Sequence, residues 1–430
     1  MKTIIIGAGL SGLSLAYHLE KQNSQDYLLL EGSGEIGGLC KSIRKEGFTF
    51  DFGPHMLHFV DLETNQLVQE LLKDELTSKI RKAGIFFNGK IVPYPFQHNL
   101  FHLDEKTKEE CLNEAIKAAN NFDKNKILHN FDDWIKGTLG EGIANHFMRP
   151  YNKKCYCVDT KELSIDILGR HIPSPSIEEI KKGAASDMTN TTAGYYYNFY
   201  YPAKGGIDLL PKAIAQKISN LHLNERVLEI DLEKKVVLTN KASYSFTNLV
   251  STIPIKKLTP LIKKTPDYVQ KAGENLRFNI VNAILLGINR PKIFDYHFLY
   301  FPDKEMTHYR ISFPMNCSEK MTPPGKSSIC AEYSYIGELK MTKPEIIEKV
   351  IQDLIQAGII RNKEEVIFKD LAELNPAYAI FDLKRKGNLE IITNFLGKKG
   401  VYILGPFAKC EHSSMEDSII GGRELAKKLQ

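Results

Sequence analysis

Three glycines near the amino terminus, Gly7, Gly9 and Gly12, have the spacing that a nucleotide pyrophosphate requires. Gly7 permits a tight turn, Gly9 lets the backbone approach the phosphates, and Gly12 lets the following helix pack against the preceding strand. The amino terminus of that helix offers free N–H groups and the positive end of its dipole to an anion. These residues, with Ser11 among them, predict a dinucleotide-binding loop.

An acidic residue, Glu31, follows this loop at the distance that ribose recognition needs. The apolar strand Thr3–Ile6 leads into the loop, an amphipathic helix runs from Leu13 to about Lys21, and a second strand, Tyr27–Leu30, ends at Glu31. A carboxylate at that position accepts hydrogen bonds from ribose hydroxyls. Strand, glycines, helix, strand and acid in this order predict a nucleotide cofactor site far more strongly than the glycines alone.

The bulk composition predicts a soluble globular protein of two or three domains. The chain has 430 residues, 43% of them hydrophobic and 25% charged, and its net charge of +5 comes from lysines scattered in short pairs. Such a surface predicts no nucleic-acid partner, and seven cysteines without a Cys-x-x-Cys pair indicate a reducing, cytoplasmic location. We expect no signal peptide and no transmembrane segment because the apolar runs are short. We also expect no metal site, because Cys155 and Cys157, on a strand, have no further ligands nearby. The oligomeric state stays open.

A second glycine pair, Gly37–Gly38, lies a few residues after Glu31, in the segment Gly32-Ser33-Gly34-Glu35-Ile36-Gly37-Gly38-Leu39. On these residues the chain resembles the superfamily of FAD-dependent amine oxidases, phytoene desaturases and protoporphyrinogen oxidases, in which such a segment lies along the FAD pyrophosphate. Many members have an arginine before the glycine pair, where this chain has Glu35-Ile36. The resemblance implies non-covalently bound FAD, with NAD(P)H as a candidate reductant. The further cofactor contacts that it implies are Gly37, Gly38, Leu39, Val227, Gly405, Ser414 and Met415, while Asp417 and Ser418 have helix capping as an alternative role.

The remaining pattern predicts how the chain is divided. Residues 84–96 predict a hairpin around Asn88–Gly89, residues 105–185 predict short helices, and Ile280–Leu286 and Ser327–Tyr335 predict antiparallel strands. We therefore expect an α/β fold, with a Rossmann-like FAD-binding domain, an inserted helical region and an antiparallel-sheet substrate domain. The predicted boundaries are 1–58, 203–254 and 385–430 for the FAD-binding domain, 59–98 and 255–384 for the sheet domain, and 99–202 for the helical region.

Three further segments sharpen the resemblance: Phe147–Lys154, Leu168–Pro173 and Tyr201–Gly206. Together with Tyr300 and the Tyr309-Arg310 pair, they are similar in order to UDP-galactopyranose mutase of the eukaryotic type, over nearly the whole chain. That family isomerises a nucleotide-linked sugar at a reduced flavin, so the resemblance implies a nucleotide sugar as the small-molecule substrate.

The same resemblance implies roles for individual residues. Arg310 matches a diphosphate-binding arginine, Tyr300 a phosphate-contacting tyrosine, and His55 a histidine beside the flavin, so these three are the expected catalytic residues. The alternative for Arg310 and Tyr300 is an ordinary structural role in a strand. The expected substrate-binding residues are Arg170, His171, Asn152 and His412.

Several departures from the family pattern leave the substrate open. Pro54 replaces the second glycine of a Gly-Gly-His loop, Pro406 replaces a phosphate-binding arginine, and Cys317 and His412 replace tyrosines. Each charge-assisted hydrogen bond lost in this way removes roughly 1.5–3 kcal/mol. An FAD-dependent oxidase or dehydrogenase of the protoporphyrinogen oxidase and amine oxidase type is therefore the alternative function, and a non-catalytic flavin-binding scaffold is the third.

Overall fold

The computed structural model of the protein describes residues 2–121, 123, 127–169, 172–188 and 198–429. Its α-helices are α1 (Leu10–Lys21), α2 (Leu62–Leu72), α3 (Glu105–Asn120), α4 (Phe131–Ile143), α5 (Arg149–Tyr156), α6 (Ile177–Ala185), α7 (Leu209–Ala215), α8 (Ile255–Leu258), α9 (Asp267–Glu274), α10 (Pro314–Cys317), α11 (Lys343–Gln356), α12 (Arg385–Lys398), α13 (Pro406–Lys409) and α14 (Met415–Lys428). Its strands are β1 (Thr3–Ile6), β2 (Tyr27–Leu30), β3 (Ser42–Lys45), β4 (Phe48–Asp51), β5 (Leu76–Ile80), β6 (Ala83–Phe87), β7 (Lys90–Pro93), β8 (Asn198–Pro202), β9 (Leu221–His222), β10 (Val227–Asp231), β11 (Val236–Thr239), β12 (Ser243–Ser245), β13 (Asn248–Ser251), β14 (Ile280–Ile288), β15 (Phe298–Tyr300), β16 (Arg310–Ser312), β17 (Ser327–Tyr335), β18 (Val366–Leu374) and β19 (Val401–Ile403).

A five-stranded parallel sheet in the order β19-β13-β1-β2-β9 forms the centre of the nucleotide-binding part. Its strands come from three distant parts of the chain. Ile4, Ile5 and Leu29 are fully buried or nearly so, because helices cover both faces of a parallel sheet and favour continuous apolar runs over alternating ones. Helices α1 and α14 pack together so closely that a Cβ on Gly422 would lie 2.5 Å from the Ser14 Oγ.

A seven-stranded sheet in the order β18-β14-β17-β16-β15-β6-β7 forms the second part. Its centre is antiparallel, as predicted, with β14 paired along its full length to β17. The predicted hairpin is confirmed as β6 and β7, and the positive φ angles of Asn88 (49°) and Gly89 (75°) suit its two-residue turn. One pairing was not predicted: β6 lies parallel to β15, which makes the sheet mixed.

Helix α11 covers one face of this sheet. The Thr342 hydroxyl accepts the Glu345 N–H while the Glu345 carboxylate accepts from the Thr342 backbone, so a capping box begins the helix. Ile346, Val350 and Leu354, four residues apart, then form its buried stripe.

The helical region contains α3 to α6, as predicted, but two local expectations fail. Cys155 and Cys157 do not lie on a strand: Cys155 belongs to α5, and Cys157 ends that helix in a left-handed conformation with φ of 60°. Residues Asn198–Pro202, at the end of the predicted helical region 99–202, form β8 and pair with β5. The α/β fold class is nevertheless confirmed.

Across the described ranges, no helix is both long enough and apolar enough to cross a membrane. Within those same ranges, no group of three or more side chains is arranged to hold a metal ion. All seven cysteines are free thiols. The cytoplasmic location stays a prediction.

Candidate flavin and substrate site

The two glycine segments predicted to bind the cofactor meet at the carboxyl end of β1. The Gly37 N–H donates to the Ala8 carbonyl at 2.8 Å, and Gly9 and Gly37 form an isolated parallel β-bridge. A Cβ added to Gly38 would lie 3.2 Å from the Gly9 Cα. Gly37 and Gly38 also have positive φ angles of 103° and 60°, which glycine adopts without strain.

A third segment closes the same space from the far end of the chain. A Cβ on Gly405, whose φ is 90°, would lie 2.5 Å from the Ser11 Oγ, and one on Gly12 would lie 2.0 Å from the Gly7 carbonyl oxygen. We call residues Gly7–Gly12, Gly37–Gly38 and Gly405 the glycine cradle. These segments approach one another so closely that a Cβ at Gly12 or Gly405 would collide with a neighbouring atom, and such close backbone approach is what a pyrophosphate-binding loop requires.

Glu31 is held beside this cradle by backbone donors. Its Oε2 accepts the Ala8 N–H at 2.9 Å, and its Oε1 accepts the Ser33 N–H at 2.9 Å and the Ser33 hydroxyl at 2.8 Å. A carboxylate has about four acceptor sites, so Glu31 retains capacity for a ribose hydroxyl. Val227 lies close by, because the Glu225 N–H donates to the Glu31 carbonyl at 2.8 Å.

Helix α1 begins at the cradle and packs against α14, and the two helices begin differently. No side chain among the described residues caps α1 at Gly9, and its first turn has no acidic residue, so its N–H groups are free for an anion. Helix α14 has a capping box in which Asp417 Oδ2 accepts the Ser414 N–H at 2.6 Å, which confirms the capping role for Asp417. Met415, the first residue of α14, is half-buried.

The cradle, Glu31 and these two helix starts therefore fit FAD. When bound there, the flavin would supply two-electron redox chemistry.

His55 follows a turn at Gly53, whose φ is 82°. Its Nδ1 lies 3.2 Å from the Gly53 carbonyl oxygen, and burial lowers the pKa of the imidazole, so the ring is neutral near pH 7. A cavity of about 20 Å³, lined among others by Asp51, His55 and Tyr201, lies behind this turn. That volume has room for about one water molecule.

Arg310 is bound to a carboxylate that the sequence motifs did not reveal. Its Nη2 donates to Glu332 at 2.6 Å and 2.9 Å, its Nε donates to Glu332 at 3.0 Å, and its Nη2 also lies 3.3 Å from the Tyr378 hydroxyl. The Tyr309 hydroxyl donates to the same carboxylate. Glu332 is 2% exposed, so this is a buried, bidentate ion pair that cancels the charge of Arg310.

Half-buried tyrosines surround this pair. The Tyr300 ring centre lies 5.1 Å from those of Tyr94 and Tyr151, and Tyr156 lies 6.2 Å from Tyr378. We call Tyr94, Tyr151, Tyr156, Tyr300 and Tyr378 the tyrosine cluster. Burial raises the pKa of the Tyr300 phenol, and the nearby Arg310 and Arg81 guanidinium groups oppose that shift.

The predicted substrate-binding residues have different environments. The His412 ring stacks on Tyr156 at 5.7 Å between ring centres and lies 6.1 Å from Tyr378, so it joins the tyrosine cluster. Asn152 is buried and its Nδ2 donates to the Met148 carbonyl at 2.6 Å, inside its own helical segment. Arg170 and His171 lie outside the described residues.

Sequence reasoning missed several members of this region: Glu332, Tyr378, Tyr94, Tyr151 and Arg81. Of these residues, only Glu332 could have been identified from the sequence. It is the cross-strand partner of Arg310 in the pairing of β16 with β17, so a correct register would have identified it. The others come from separate elements and meet only in the folded chain.

The chain belongs to the flavin containing amine oxidoreductase family, whose model matches residues 10–388. The protein is therefore an FAD-dependent enzyme of oxidoreductase or isomerase type. An L-amino acid oxidase from Bothrops pictus is 25% identical over 287 residues, which are 57% of this chain and 50% of that protein. The chain thus spans about half the length of this curated relative.

Solved structures extend the likeness to the whole chain. A crystal structure of reduced UDP-galactopyranose mutase is 25% identical, with a TM-score of 0.92 over 100% of this chain and 93% of that chain. A variant of putrescine oxidase has a TM-score of 0.68 at 14% identity, covering 100% of this chain and 98% of that chain, and so shares the fold. The predicted superfamily is confirmed.

Proposed function

We propose that the protein is an FAD-dependent enzyme that acts on a nucleotide-linked sugar at the reduced flavin, as a mutase-like isomerase. The observation that carries this proposal is the likeness to reduced UDP-galactopyranose mutase, with a TM-score of 0.92 over the whole chain. NAD(P)H is the proposed reductant, because an isomerase that works with reduced flavin needs a two-electron donor.

The proposed catalytic residues are His55, Tyr300 and Arg310. Glu332 neutralises Arg310 but also holds its guanidinium in one orientation, and the Nη1 group of Arg310 makes no hydrogen bond with any described residue. Those N–H groups can donate to substrate in a fixed direction. His55, neutral because it is buried, can exchange a hydrogen bond with the flavin without bringing a charge.

The remaining proposed contacts divide into those to the cofactor and those to the substrate. The cofactor is proposed to lie on the glycine cradle, with Glu31 at the ribose and with Leu39, Val227, Ser414 and Met415 along its length. The proposed substrate contacts are Asn152, Arg170, His171 and His412.

The test is to incubate FAD-loaded, anaerobically reduced protein with UDP-galactopyranose and with its furanose isomer, and to separate the products by chromatography. We expect interconversion that requires reduction of the flavin and that His55→Ala lowers at least tenfold. His129→Ala, at an exposed histidine of the helical region, is the matched control and should keep full activity.

The second candidate is an amine oxidase or protoporphyrinogen oxidase type of activity. It is favoured by the L-amino acid oxidase among the curated relatives and by the cancelled charge of Arg310, which weakens the case for a diphosphate at that residue. Rapid oxygen uptake with an amine, amino acid or porphyrinogen, together with no ring isomerisation of the nucleotide sugar, would establish this function and overturn the first.

A further inference from the structure

Arg81 lies between β5 and β6, and two aromatic rings hold its guanidinium. The Cζ atom is 5.5 Å from the centre of the Tyr94 ring and 5.9 Å from the centre of the Phe298 ring. At such distances the negative face of a ring attracts a cation. The side chain is half-buried, so its position is defined by packing rather than by a carboxylate.

The absence of a carboxylate sets Arg81 apart from Arg310 and Arg149. Within the described ranges, Arg81 takes part in no ion pair and no side-chain hydrogen bond. Arg310, by contrast, is bound to Glu332, and Arg149 in the helical region is bound to both Asp132 and Glu141. All five N–H donors of Arg81 are therefore available to a ligand.

Its position relative to the tyrosine cluster follows from strand pairing. Strand β6 runs parallel to β15, with Ala83 opposite Phe298 and Ile85 opposite Tyr300. The Tyr94 ring, which Arg81 contacts, is 5.1 Å from the Tyr300 ring. The guanidinium groups of Arg310 and Arg81 both act to lower the pKa of the Tyr300 phenol, against the effect of burial. Of the two, only Arg81 has a positive charge that no described carboxylate balances.

We propose that Arg81 is the anion-binding residue of the tyrosine cluster and that it binds phosphate oxygens of a nucleoside diphosphate. A planar guanidinium matches a phosphate with two parallel hydrogen bonds, and the aromatic rings orient it in advance of binding. The inference rests on the proposed function, because it takes the ligand to be a nucleotide-linked sugar. It assigns binding of the diphosphate to Arg81. Arg310, whose charge Glu332 neutralises, then donates hydrogen bonds to the substrate in a fixed direction.

The experiment measures binding of UDP and of uridine to FAD-loaded protein by isothermal titration calorimetry. Arg81→Gln should weaken UDP binding about tenfold to a hundredfold and leave uridine binding unchanged, because charged hydrogen bonds to phosphate are lost and contacts to the nucleoside are kept. Arg81→Lys should recover part of the loss. Lys82→Gln is the matched control, since Lys82 is the exposed neighbour of Arg81 in the same turn. Flavin content and melting temperature verify that each variant is folded.

Two outcomes would overturn the inference, and they have different consequences for the proposed function. If wild-type protein and Arg81→Gln bind UDP equally, Arg81 does not hold the diphosphate, and the proposed function stands. If wild-type protein binds no UDP and instead oxidises an amine or porphyrinogen, the nucleotide-sugar function is wrong and the role of Arg81 is wrong with it.

Discussion

The glycine cradle and the tyrosine cluster are the proposed cofactor and substrate sides of the candidate site, and they are built differently. The cradle is a backbone surface: its residues matter because an added Cβ would lie 2.0 to 3.2 Å from a neighbouring atom at Gly12, Gly405 and Gly38. The cluster is a side-chain surface, in which rings from four elements or loops surround one buried ion pair, Arg310 with Glu332. The difference teaches that the cofactor side depends on close backbone packing, whereas the substrate side depends on charge balance.

On the cofactor side, the largest effect is expected from Gly12→Ala. The new Cβ would lie 2.0 Å from the Gly7 carbonyl oxygen, which is backbone and cannot rotate away, so the loop must shift. We expect at least a tenfold loss of FAD affinity, equivalent to about 1.4 kcal/mol, measured as flavin absorbance per protein after gel filtration.

Gly137→Ala is the control for that change. No heavy atom of the described residues lies within 4 Å of a Cβ built at Gly137, which is in α4. This variant should keep its flavin and gain up to about 1 kcal/mol of stability from helix propensity. Equal flavin loss in the two variants would contradict the distinction between cradle and ordinary glycines.

On the substrate side, Glu332→Leu should lower the free energy of unfolding by about 3–5 kcal/mol, because it leaves the Arg310 charge buried without its partner. The double variant Arg310→Met/Glu332→Leu should recover most of this loss, because it removes both charges. Urea denaturation measures the free energy of unfolding of the single and the double variant. A double variant as unstable as the single one would show that charge balance is not what stabilises the cluster.

An intermediate effect is expected from pH. Burial lowers the pKa of His297 to about 4, and burial also lowers the pKa values of His55, His98 and His308. On unfolding, these imidazoles return to a pKa near 6.5 and take up protons below it, so the free energy of unfolding falls as pH falls. For His297 alone, the loss from pH 6.5 to 5 should be about 1.6 kcal/mol. His297→Gln should flatten the profile measured by denaturation, whereas the exposed His129→Gln should leave it unchanged.

The smallest effect is expected at a helix cap. Ser414 and Ser176 begin α14 and α6 with the same capping box, and replacing either with Ala should cost about 1 kcal/mol of unfolding free energy. Only Ser414→Ala should also weaken FAD binding, because α14, and not α6, packs against α1, the helix that begins at the cradle. If both variants bind FAD like the wild-type protein, α14 contributes nothing to the cofactor site.

Much of the fold could be predicted from local signals. The strand, glycine and helix order at the amino terminus, the Asn88–Gly89 turn and the central antiparallel strands are confirmed, because each depends on residues close together in sequence. The parallel pairing of β6 with β15 could not be predicted in this way. Those strands are about two hundred residues apart, and nothing in either one specifies the other.

The candidate site shows the same difference between features that are local in the sequence and features that depend on distant residues. The sequence by itself determined the cofactor side, because φ angles and close backbone approach restrict Gly7, Gly12 and Gly38 to glycine wherever the chain folds in this way. Only the tertiary structure decided the substrate side: it paired Arg310 with Glu332 across two strands and brought Arg81 against Tyr94. A charge acts through space on whatever the fold brings near it, so the partner of a buried arginine cannot be read from its neighbours in sequence.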